Sequence, residues 1–192
     1  LSTTARDTTL GLDVASFGGL KLDGVKVKDA DRLTGGSDFN AALLRFFAKH
    51  ALVVAAREVG LSRAAFETTR EYCDTRKAFG KPVGHFQAVA FTIADRAMDV
   101  EAARTLVHRA AWHWDALASG VVTEKDALLR TAHAVSYAHE AAMRCGDDGV
   151  QLHGGAGYML EYPIARMYAD ARVMKIFGGT NEIMKELIGR TL

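Results

Sequence analysis

Two glycine clusters near the end of the chain contain the first residues whose type and spacing could do chemistry. They are Gly154-Gly-Ala-Gly157 and Gly178-Gly179, and a short segment of helical character separates them. Glycine adopts positive φ and lets backbone N–H groups approach another molecule, which suits a phosphate or a polar ring edge. The first cluster does not match Gly-x-Gly-x-x-Gly and follows no strand pattern, so it does not predict a Rossmann turn. Because glycines also end helices, helix punctuation and ligand contact both stay open.

A basic loop, Arg76-Lys-Ala-Phe-Gly-Lys-Pro-Val-Gly-His-Phe-Gln87, provides the second group of candidate residues. The arginine guanidinium is a planar fork of donors that pairs with phosphate oxygens, and exposed backbone donors follow it. Such a loop is a good clamp for a diphosphate. A basic loop between two helices is also often simply solvated, and the loop alone does not distinguish the two interpretations.

Apolar residues at helical spacing predict the elements that must position these loops. Helices are expected over residues of about 38–74, 86–117, 123–145, 162–172 and 181–190. Pro82 separates the first helix from the second, and long antiparallel helices with short links are typical of a bundle. The sequence therefore predicts a mainly α-helical fold.

Three helix ends have recognisable capping residues. Ser37 or Asp38 is expected to cap the first helix, and Thr123 with Asp126 forms a variant of the capping box before the third. Gly146 is expected to end the third helix, because glycine commonly follows a helix C-terminus.

The first 34 residues differ from the rest of the chain. Alternating apolar and polar residues predict short strands at 8–14 and 19–27, with turns at 18–19 and 23–24. Two or three strands alone make a poor sheet. We therefore divide the chain into residues 1–34, the tail end of a β-domain, and residues 35–192, a C-terminal helical domain.

The overall composition excludes several functional classes. The 192 residues have a formal net charge of +1, which argues against a general nucleic-acid binder. We expect no membrane span and a cytoplasmic protein, because we find no sufficiently long apolar run and no signal peptide. The chain begins at Leu1 rather than at a methionine, which leaves open a fragment or a trimmed product.

Cysteine and histidine spacings predict no metal site. Cys73 and Cys145 form neither a disulfide framework nor a metal-binding pattern, and we expect small core residues in a reducing compartment. The histidine pairs 108/113 and 133/139 are five and six residues apart, whereas two ligands on one helical face are three or four apart.

Three separate motifs resemble, in order and spacing, those of the acyl-CoA dehydrogenase family. They are the segments Arg76–Gln87 and Gln151–Gly157 and the run Gly178-Gly-Thr-Asn-Glu-Ile-Met-Lys-Glu-Leu-Ile188, which looks most like the long-chain branch. The resemblance covers residues 35–192. It implies a flavoenzyme that uses FAD to oxidise an acyl-CoA thioester between its α and β carbons. It also implies a C-terminal helical domain after a middle β-domain, and a homo- or hetero-oligomer, most often a dimer of dimers.

The resemblance also implies which residues form the site. Those that would contact FAD are Arg76, Ala78, Phe79, Gln87, Gln151, Leu152, His153, Gly154, Gly155, Thr180 and Glu182. Residues 151–155 would approach the dinucleotide bound mainly by a neighbouring subunit, and Thr180 and Glu182 would lie beside the cofactor. Arg190, which closes the C-terminal signature, is assigned to the substrate.

The chain departs from the family pattern at the catalytic base. The family reaction removes an α-proton with a carboxylate, and the flavin accepts a β-hydride. Most members have this glutamate directly before Gly-Thr, where this chain has Gly178. A minority have it on the first long helix, where this chain has His50, and two neighbouring positions that are often charged are Ala48 and Ala51.

Three explanations of this departure stay open. The base comes from elsewhere, with His50 or Glu58 as candidates, although Glu58 lies roughly 12 Å further along the helix. Alternatively, the chain is a catalytically silent subunit that completes the flavin site of a distinct partner, or its chemistry differs. The expected function is acyl-CoA dehydrogenation in fatty-acid or related catabolism, and the alternative is the silent subunit, which explains the missing base better than His50 does.

Overall fold

The computed structural model describes residues 1–33 and 38–191, most of which are helical. The helices are α1 (Phe39–Thr75), α2 (Gln87–Ala116), α3 (Glu124–His153), α4 (Pro163–Arg172) and α5 (Asn181–Gly189). Short 3-10 turns lie at Val83–His85, Leu117–Ser119, Gly154–Tyr158 and Val173–Lys175. The predicted mainly α-helical fold is confirmed, and all helices except α3 begin and end within about one residue of their expected limits.

Helix α3 lies at the centre of the bundle and contacts the four other helices. Helix α1 runs parallel to α3. Arg45 near the start of α1 donates hydrogen bonds of 2.7 and 2.8 Å to Glu124 at the start of α3. Thr69 near the end of α1 lies against Gly149 near the end of α3. The C-terminal ends of α1 and α3 are therefore at the same end of the bundle.

Helix α2 packs antiparallel to α3. Trp114 near the end of α2 donates to the Thr131 hydroxyl at 2.9 Å, and Arg144 near the end of α3 donates to Asp99 of α2 at 2.7 and 2.9 Å. Burial alone would raise the pKa of Asp99, but hydrogen bonds from Arg144 and Tyr137 hold it below its usual range. This buried carboxylate ties the middle of α2 to α3.

Alanine dominates the contacts between the three long helices. Ala55 of α1, Ala103 and Ala110 of α2, and Ala138 and Ala141 of α3 have no exposed surface. Small side chains at these positions let the helix backbones approach closely. The bundle is consequently held by close helix packing rather than by large aromatic side chains.

Helix α3 continues to His153, so the prediction that Gly146 ends it is wrong. The glycines of this last stretch serve close packing instead. A Cβ at Gly149 would lie 2.4 Å from Ile164 and 2.9 Å from Thr69, and a Cβ at Gly146 would lie 3.1 Å from the Cα of Tyr168. These two glycines let α4 lie against α3, and the helix ends only at Gly154, which has a φ of +60°.

The capping predictions have mixed outcomes. The Thr123 hydroxyl accepts from the Asp126 N–H, and the Thr123 N–H donates to the Asp126 carboxylate, so the capping box before α3 is confirmed. Asp38 is the residue before α1, but its side chain makes no cap hydrogen bond. Ser37 lies outside the described residues.

The N-terminal segment contains much less strand than the alternating pattern predicts. Its strands are β1 (Ser2–Thr3) and β2 (Leu20–Lys21), which pair antiparallel. The predicted strand at 8–14 is absent, and that at 19–27 is reduced to two residues. The turn predicted at 23–24 is a bend with Gly24 at a φ of +56°. A segment of alternating apolar and polar residues forms a strand only when a neighbouring strand supplies its backbone hydrogen-bond partners.

The length and composition of α1 correct the expectation that no apolar run is long enough to span a membrane. By these two properties alone, α1 is long and apolar enough to cross a membrane. Two lysine or arginine residues interrupt the apolar stretch of α1. A search for an uninterrupted apolar run therefore does not find it. Core helices of water-soluble proteins, which are mostly buried, pass the same test, but only 17% of this stretch of α1 is buried within the described structure.

Candidate functional site

An open groove of about 420 Å³ lies where α1 and α3 end. Its lining comes from two motifs that are far apart in the chain and is formed by Tyr72, Arg76, Val83, Gln151, Leu152, His153, Gly154, Gly155, Ala156 and Tyr162. Because α1 and α3 are parallel, their C-terminal loops meet here. The structure therefore brings Arg76 together with the glycine cluster.

Gly154 and Gly155 leave their backbone open toward the groove. Among the described residues, no heavy atom other than those of the glycine and its two chain neighbours lies within 4 Å of a Cβ placed on either residue. Gly157 is different, because a Cβ there would lie 2.4 Å from the Val150 carbonyl oxygen. The cluster thus combines two glycines that expose the backbone with one that permits close packing. The Gly154 N–H donates to the Gln151 carbonyl, and both glycines belong to the 3-10 turn that follows α3, not to the start of an α-helix.

Three aromatic rings form one wall of the groove. Tyr72 stacks on His153 with 4.2 Å between ring centroids, and Tyr162 meets both rings edge to face. Nδ1 of His153 donates to the Gly149 carbonyl at 2.7 Å, which holds the imidazole at the end of α3. Tyr72 and Tyr162 were not among the sequence candidates, and their aromatic type next to both motifs is the signal that could have found them.

The segment after Arg76 is a small hairpin rather than an irregular loop. Strands β3 (Lys77–Ala78) and β4 (Lys81–Pro82) pair antiparallel. Phe79 lies at the tip with a φ of +52° and is 96% exposed. Positive φ is rare for a bulky residue, and a large apolar side chain in water is unfavourable. Ala78 is half-buried beside it, and Gln87 begins α2 with an exposed side chain.

The predicted cofactor residues Thr180 and Glu182 lie at a second location. Thr180 caps α5, its hydroxyl accepting from the Ile183 N–H at 3.3 Å. The next residue, Asn181, contacts Ser136 and Glu140 of α3, whereas the groove lies at residues 151–155. At 1.5 Å per residue, the two locations are roughly 20 Å apart along α3. The structure therefore does not place Thr180 in the groove with Arg76 and Gly154.

An apolar pocket of about 210 Å³ lies beside Gly178. It is bounded by α1, α3 and α5, and its lining includes Phe47, Ala48, Ala51 and Met184. Gly178 and Gly179 have φ values of +69° and +118°. Among the described residues, this lining contains no carboxylate and no histidine.

The two catalytic candidates on α1 lie outside that pocket. His50 is exposed, and its ring stacks on Phe46 with 6.3 Å between centroids. Glu58 is completely buried, and burial raises its pKa to about 8. Arg190 pairs with Glu186 of its own helix. The structure thus brings none of these residues to Gly178 within this chain.

A buried polar network behind the Gly178 segment was missed by the sequence reasoning. Nδ1 of His139 lies 2.9 Å from Oδ1 of Asn181, and Nδ2 of Asn181 donates to Glu140 at 3.0 Å. Lys175 donates to the same carboxylate at 2.9 Å. From the sequence, the only prediction about His139 is that its spacing from His133 does not suit a metal site. Across residues 1–33 and 38–191, no three His, Cys, Asp or Glu side chains are grouped to hold a metal ion.

Comparisons with known proteins agree with this arrangement. The family model described as "Acyl-CoA dehydrogenase, C-terminal domain" matches residues 39–192. The chain is 41% identical over 150 residues to the mitochondrial long-chain specific acyl-CoA dehydrogenase of Sus scrofa, covering 78% of this chain and 33% of that protein.

Two solved structures are similar in fold along nearly the whole chain. Butyryl-CoA dehydrogenase from Megasphaera elsdenii has a TM-score of 0.90 and 31% identity, covering 99% of this chain and 48% of that one. An acyl-CoA dehydrogenase complexed with FAD from Bacillus anthracis has a TM-score of 0.90 and 25% identity, covering 99% and 35%. The chain thus spans between a third and a half of the length of these relatives. Since the family model matches most of its residues, the chain belongs to the acyl-CoA dehydrogenase family.

Proposed function

We propose that this chain is the C-terminal part of an FAD-dependent acyl-CoA dehydrogenase that oxidises an acyl-CoA thioester between its α and β carbons. The observation that carries the proposal is that Arg76 and Gly154-Gly155, which come from separate motifs, line one groove. In this proposal residues 1–34 are the end of a middle β-domain and residues 35–192 are the helical domain. The matched relatives are two to three times as long, so the complete reaction would need the further parts that they contain.

The groove residues fit the diphosphate part of FAD. Arg76 brings a guanidinium fork, and no salt bridge occupies it among the described residues. Among the described residues, Gly154 and Gly155 leave free space at their Cα atoms for a ligand to approach, and arginine forks recognise phosphate oxygens. FAD, when bound, supplies the hydride acceptor. The chain itself would bind and orient the dinucleotide here, while Thr180 and Glu182 would lie beside it at the α5 end.

The α-proton still requires a base. Glycine has no titratable side chain, so Gly178 cannot act, and the buried Glu58 lies outside the pocket beside it. His50 is the remaining candidate on α1. It is exposed, and an imidazole nitrogen can act as a general base. A partner domain or subunit that covers this face of α1 would place a substrate against it.

The second candidate function is a catalytically silent subunit that completes the flavin site of a partner. The specific observation in its favour is the apolar lining of the pocket at Gly178, which offers no proton acceptor within the described residues. In that case the groove at Arg76 would still be used, because it depends on none of the missing catalytic groups.

The acyl-CoA dehydrogenase proposal includes an oligomer. Phe79 in the hairpin, Phe91 near the start of α2 and Met98 in the middle of α2 are exposed large apolar side chains. Such exposure is typical of surfaces that a partner covers. We propose a homo- or hetero-oligomer in which these side chains contact another subunit.

Flavin content of the purified protein tests the cofactor proposal. Arg76→Ala is expected to lower the bound flavin per chain about tenfold or more, because a charged hydrogen bond contributes roughly 1.5–3 kcal/mol. Arg63→Ala is the matched control, since Arg63 is an exposed arginine of α1 that pairs with Glu67. Equal flavin content in wild type and Arg76→Ala would contradict the proposal.

Turnover separates the two candidate functions. Acyl-CoA oxidation by the pure homo-oligomer, measured from short to long acyl chains and abolished by His50→Ala, supports the dehydrogenase with His50 as its base. Flavin binding without any turnover supports the silent subunit.

A further inference from the structure

Helix α5 is attached to the bundle by few buried side chains. It has nine residues, and its buried residues are Asn181 and Met184. A helix this short is marginal in water by itself, so its position depends on contacts with the rest of the fold. Met184 and the partly buried Ile188 pack on the apolar core. Apolar contacts are non-directional, whereas a hydrogen bond requires alignment of donor and acceptor. Asn181 is therefore the residue whose contacts can fix the position of α5 on the bundle.

The Asn181 amide has a partner for its oxygen and for its nitrogen. The residue is 0% exposed. Its Nδ2 donates to Oε1 of Glu140 at 3.0 Å and lies 3.4 Å from the Ser136 carbonyl oxygen. Because a carboxylate only accepts, the amide oxygen faces the other way, where Nδ1 of His139 donates to it at 2.9 Å. Burial removes the amide from water, and these hydrogen bonds compensate that cost in this orientation of the side chain.

The carboxylate that accepts from Asn181 is itself fixed on both sides. Glu140 belongs to α3, and Lys175 in the turn after α4 reaches its two oxygens at 2.8 and 2.9 Å. Burial alone would raise the pKa of Glu140, but hydrogen bonds from Lys175 and Asn181 hold it below its usual range. Helix α3, the turn after α4 and the start of α5 consequently meet at one ionised carboxylate.

Asn181 lies between two residues that the family resemblance assigns to the cofactor. Thr180 directly precedes it and caps α5, and Glu182 directly follows it. Successive side chains of a helix point about 100° apart, so the Asn181 amide is buried against α3 while Glu182 is exposed. The same segment forms one wall of the apolar pocket of about 210 Å³, through Gly178, Gly179, Ile183, Met184 and Leu187. A displacement of Asn181 would therefore move both the cofactor candidates and the pocket wall.

We propose that Asn181 is a positioning residue whose amide sets the place of the Gly178–Glu182 segment relative to α3. Its hydrogen bonds to His139 and Glu140 require an acceptor on one side and a donor on the other. Asparagine provides both, whereas aspartate provides only acceptors and leucine provides neither. The link to the flavin rests on the proposed function, in which this segment lies beside the cofactor. The hydrogen bonds themselves do not depend on that function.

Hydrogen exchange of residues 178–189 in the purified, flavin-free protein tests these hydrogen bonds. Asn181→Leu keeps a branched side chain but leaves Glu140 and His139 without their partner, so protection should fall at least tenfold. Asn181→Asp should also lower protection, because it places a second carboxylate against Glu140. Asn40→Asp is the matched control, since it makes the same substitution at an exposed position of α1.

An exchange of the two polar groups gives the sharper test. Asn181→Asp combined with Glu140→Gln moves the amide to α3 and the carboxylate to α5. The introduced amide can donate to the introduced carboxylate and accept from Lys175, and His139 can still donate as before. The double variant should regain protection to within about threefold of wild type. This comparison works even where Asn181→Asp alone folds poorly, because the double variant should then fold.

Two results would overturn the role of the amide. One is wild-type protection in Asn181→Leu, and the other is a double variant no better protected than Asn181→Asp. Visible absorption of the flavin-loaded protein tests the link to the cofactor. The flavin spectrum should shift in Asn181→Leu and return in the double variant, and an unshifted spectrum would refute that link. A wild-type protein that binds no flavin would refute the proposed function, while the flavin-free exchange result would still decide the role of the amide.

Discussion

Arg76 and Gly154 line the same groove because the helices that precede them, α1 and α3, run parallel and end together. The C-terminal end of a helix carries partial negative charge from its unpaired carbonyls. Two such ends meet at this groove, so a phosphate would be repelled without a cation. Arg76 provides that cation. The groove is therefore a property of the register between two helices and of one arginine placed at their common end.

Substitutions of the glycines in Gly154-Gly-Ala-Gly157 should have two kinds of effect, one on flavin binding and the other on the stability of the fold. Gly155→Ala places a methyl group in the open groove, so we expect flavin affinity to fall about tenfold with little change in Tm. Gly157→Ala drives a Cβ to 2.4 Å from the Val150 carbonyl oxygen, which should lower stability by roughly 1–3 kcal/mol. Flavin titration and thermal unfolding measure the two effects, and wild-type flavin affinity in Gly155→Ala would refute the first.

Gly178→Glu should raise acyl-CoA turnover. Within the part of the chain that the structure describes, a Cβ at Gly178 meets no heavy atom of a non-neighbouring residue within 4 Å, so a side chain has room. The φ of +69° costs about 1 kcal/mol for a side chain. A positioned general base contributes roughly 100-fold or more to a rate. Steady-state oxidation of acyl-CoA by the flavin-loaded protein measures the gain.

Gly189→Glu is the matched control for that gain, because Gly189 also has free space at its Cβ but lies at the other end of α5. Equal turnover in both variants would show that Gly178 does not face the reacting carbon.

Glu58→Gln should stabilise the protein in a pH-dependent way. The folded-state pKa of Glu58 is raised from 4.5 to about 8, so the stability that its proton contributes is complete below pH ~4.5 and is lost as pH rises to about 8. The variant should match wild type at pH 4 and unfold roughly 5–10 °C higher at pH 8, a difference of a few kcal/mol. Thermal unfolding at several pH values measures this, and a constant difference would be inconsistent with a protonated Glu58.

Asp99→Asn should show the opposite pH dependence. The pKa of Asp99 is held below 3.8 by hydrogen bonds from Arg144 and Tyr137 despite burial. Its contribution is therefore present above pH ~3.8 and is lost as pH falls through the folded-state value. At pH 7 the variant should be less stable by roughly 1–3 kcal/mol, and the deficit should shrink toward pH 2. An equal deficit at pH 7 and pH 2 in denaturant unfolding would contradict it.

Local signals in the sequence were sufficient for most of the helices. Apolar spacing and Pro82 set α1 and α2 to within about one residue, and Thr123 with Asp126 marked the start of α3 because a capping box involves only neighbouring residues. Gly146 misled the prediction. A glycine that ends a helix and a glycine that admits another helix look alike until α4 is seen against α3.

The prediction of the N-terminal strands was also wrong because it depended on contacts that the local sequence does not show. The alternating pattern at 8–14 records which side chains face a sheet, but hydrogen-bonded partners make a strand. The structure places this segment against α4 instead, with the Leu12 N–H donating to Asp170 at 2.6 Å.

The sequence by itself determined the helices except for the end of α3, the three motifs and the family to which they belong, because these depend on residue type and short-range spacing. Only the tertiary structure decided that Arg76 and Gly154 share a groove and that Thr180 lies elsewhere. It also decided that His50 faces outward while Glu58 and His139 are buried. Those facts follow from the parallel register of α1 and α3. This register is set by alanine packing between residues far apart in the chain, and such packing leaves no local pattern in the sequence.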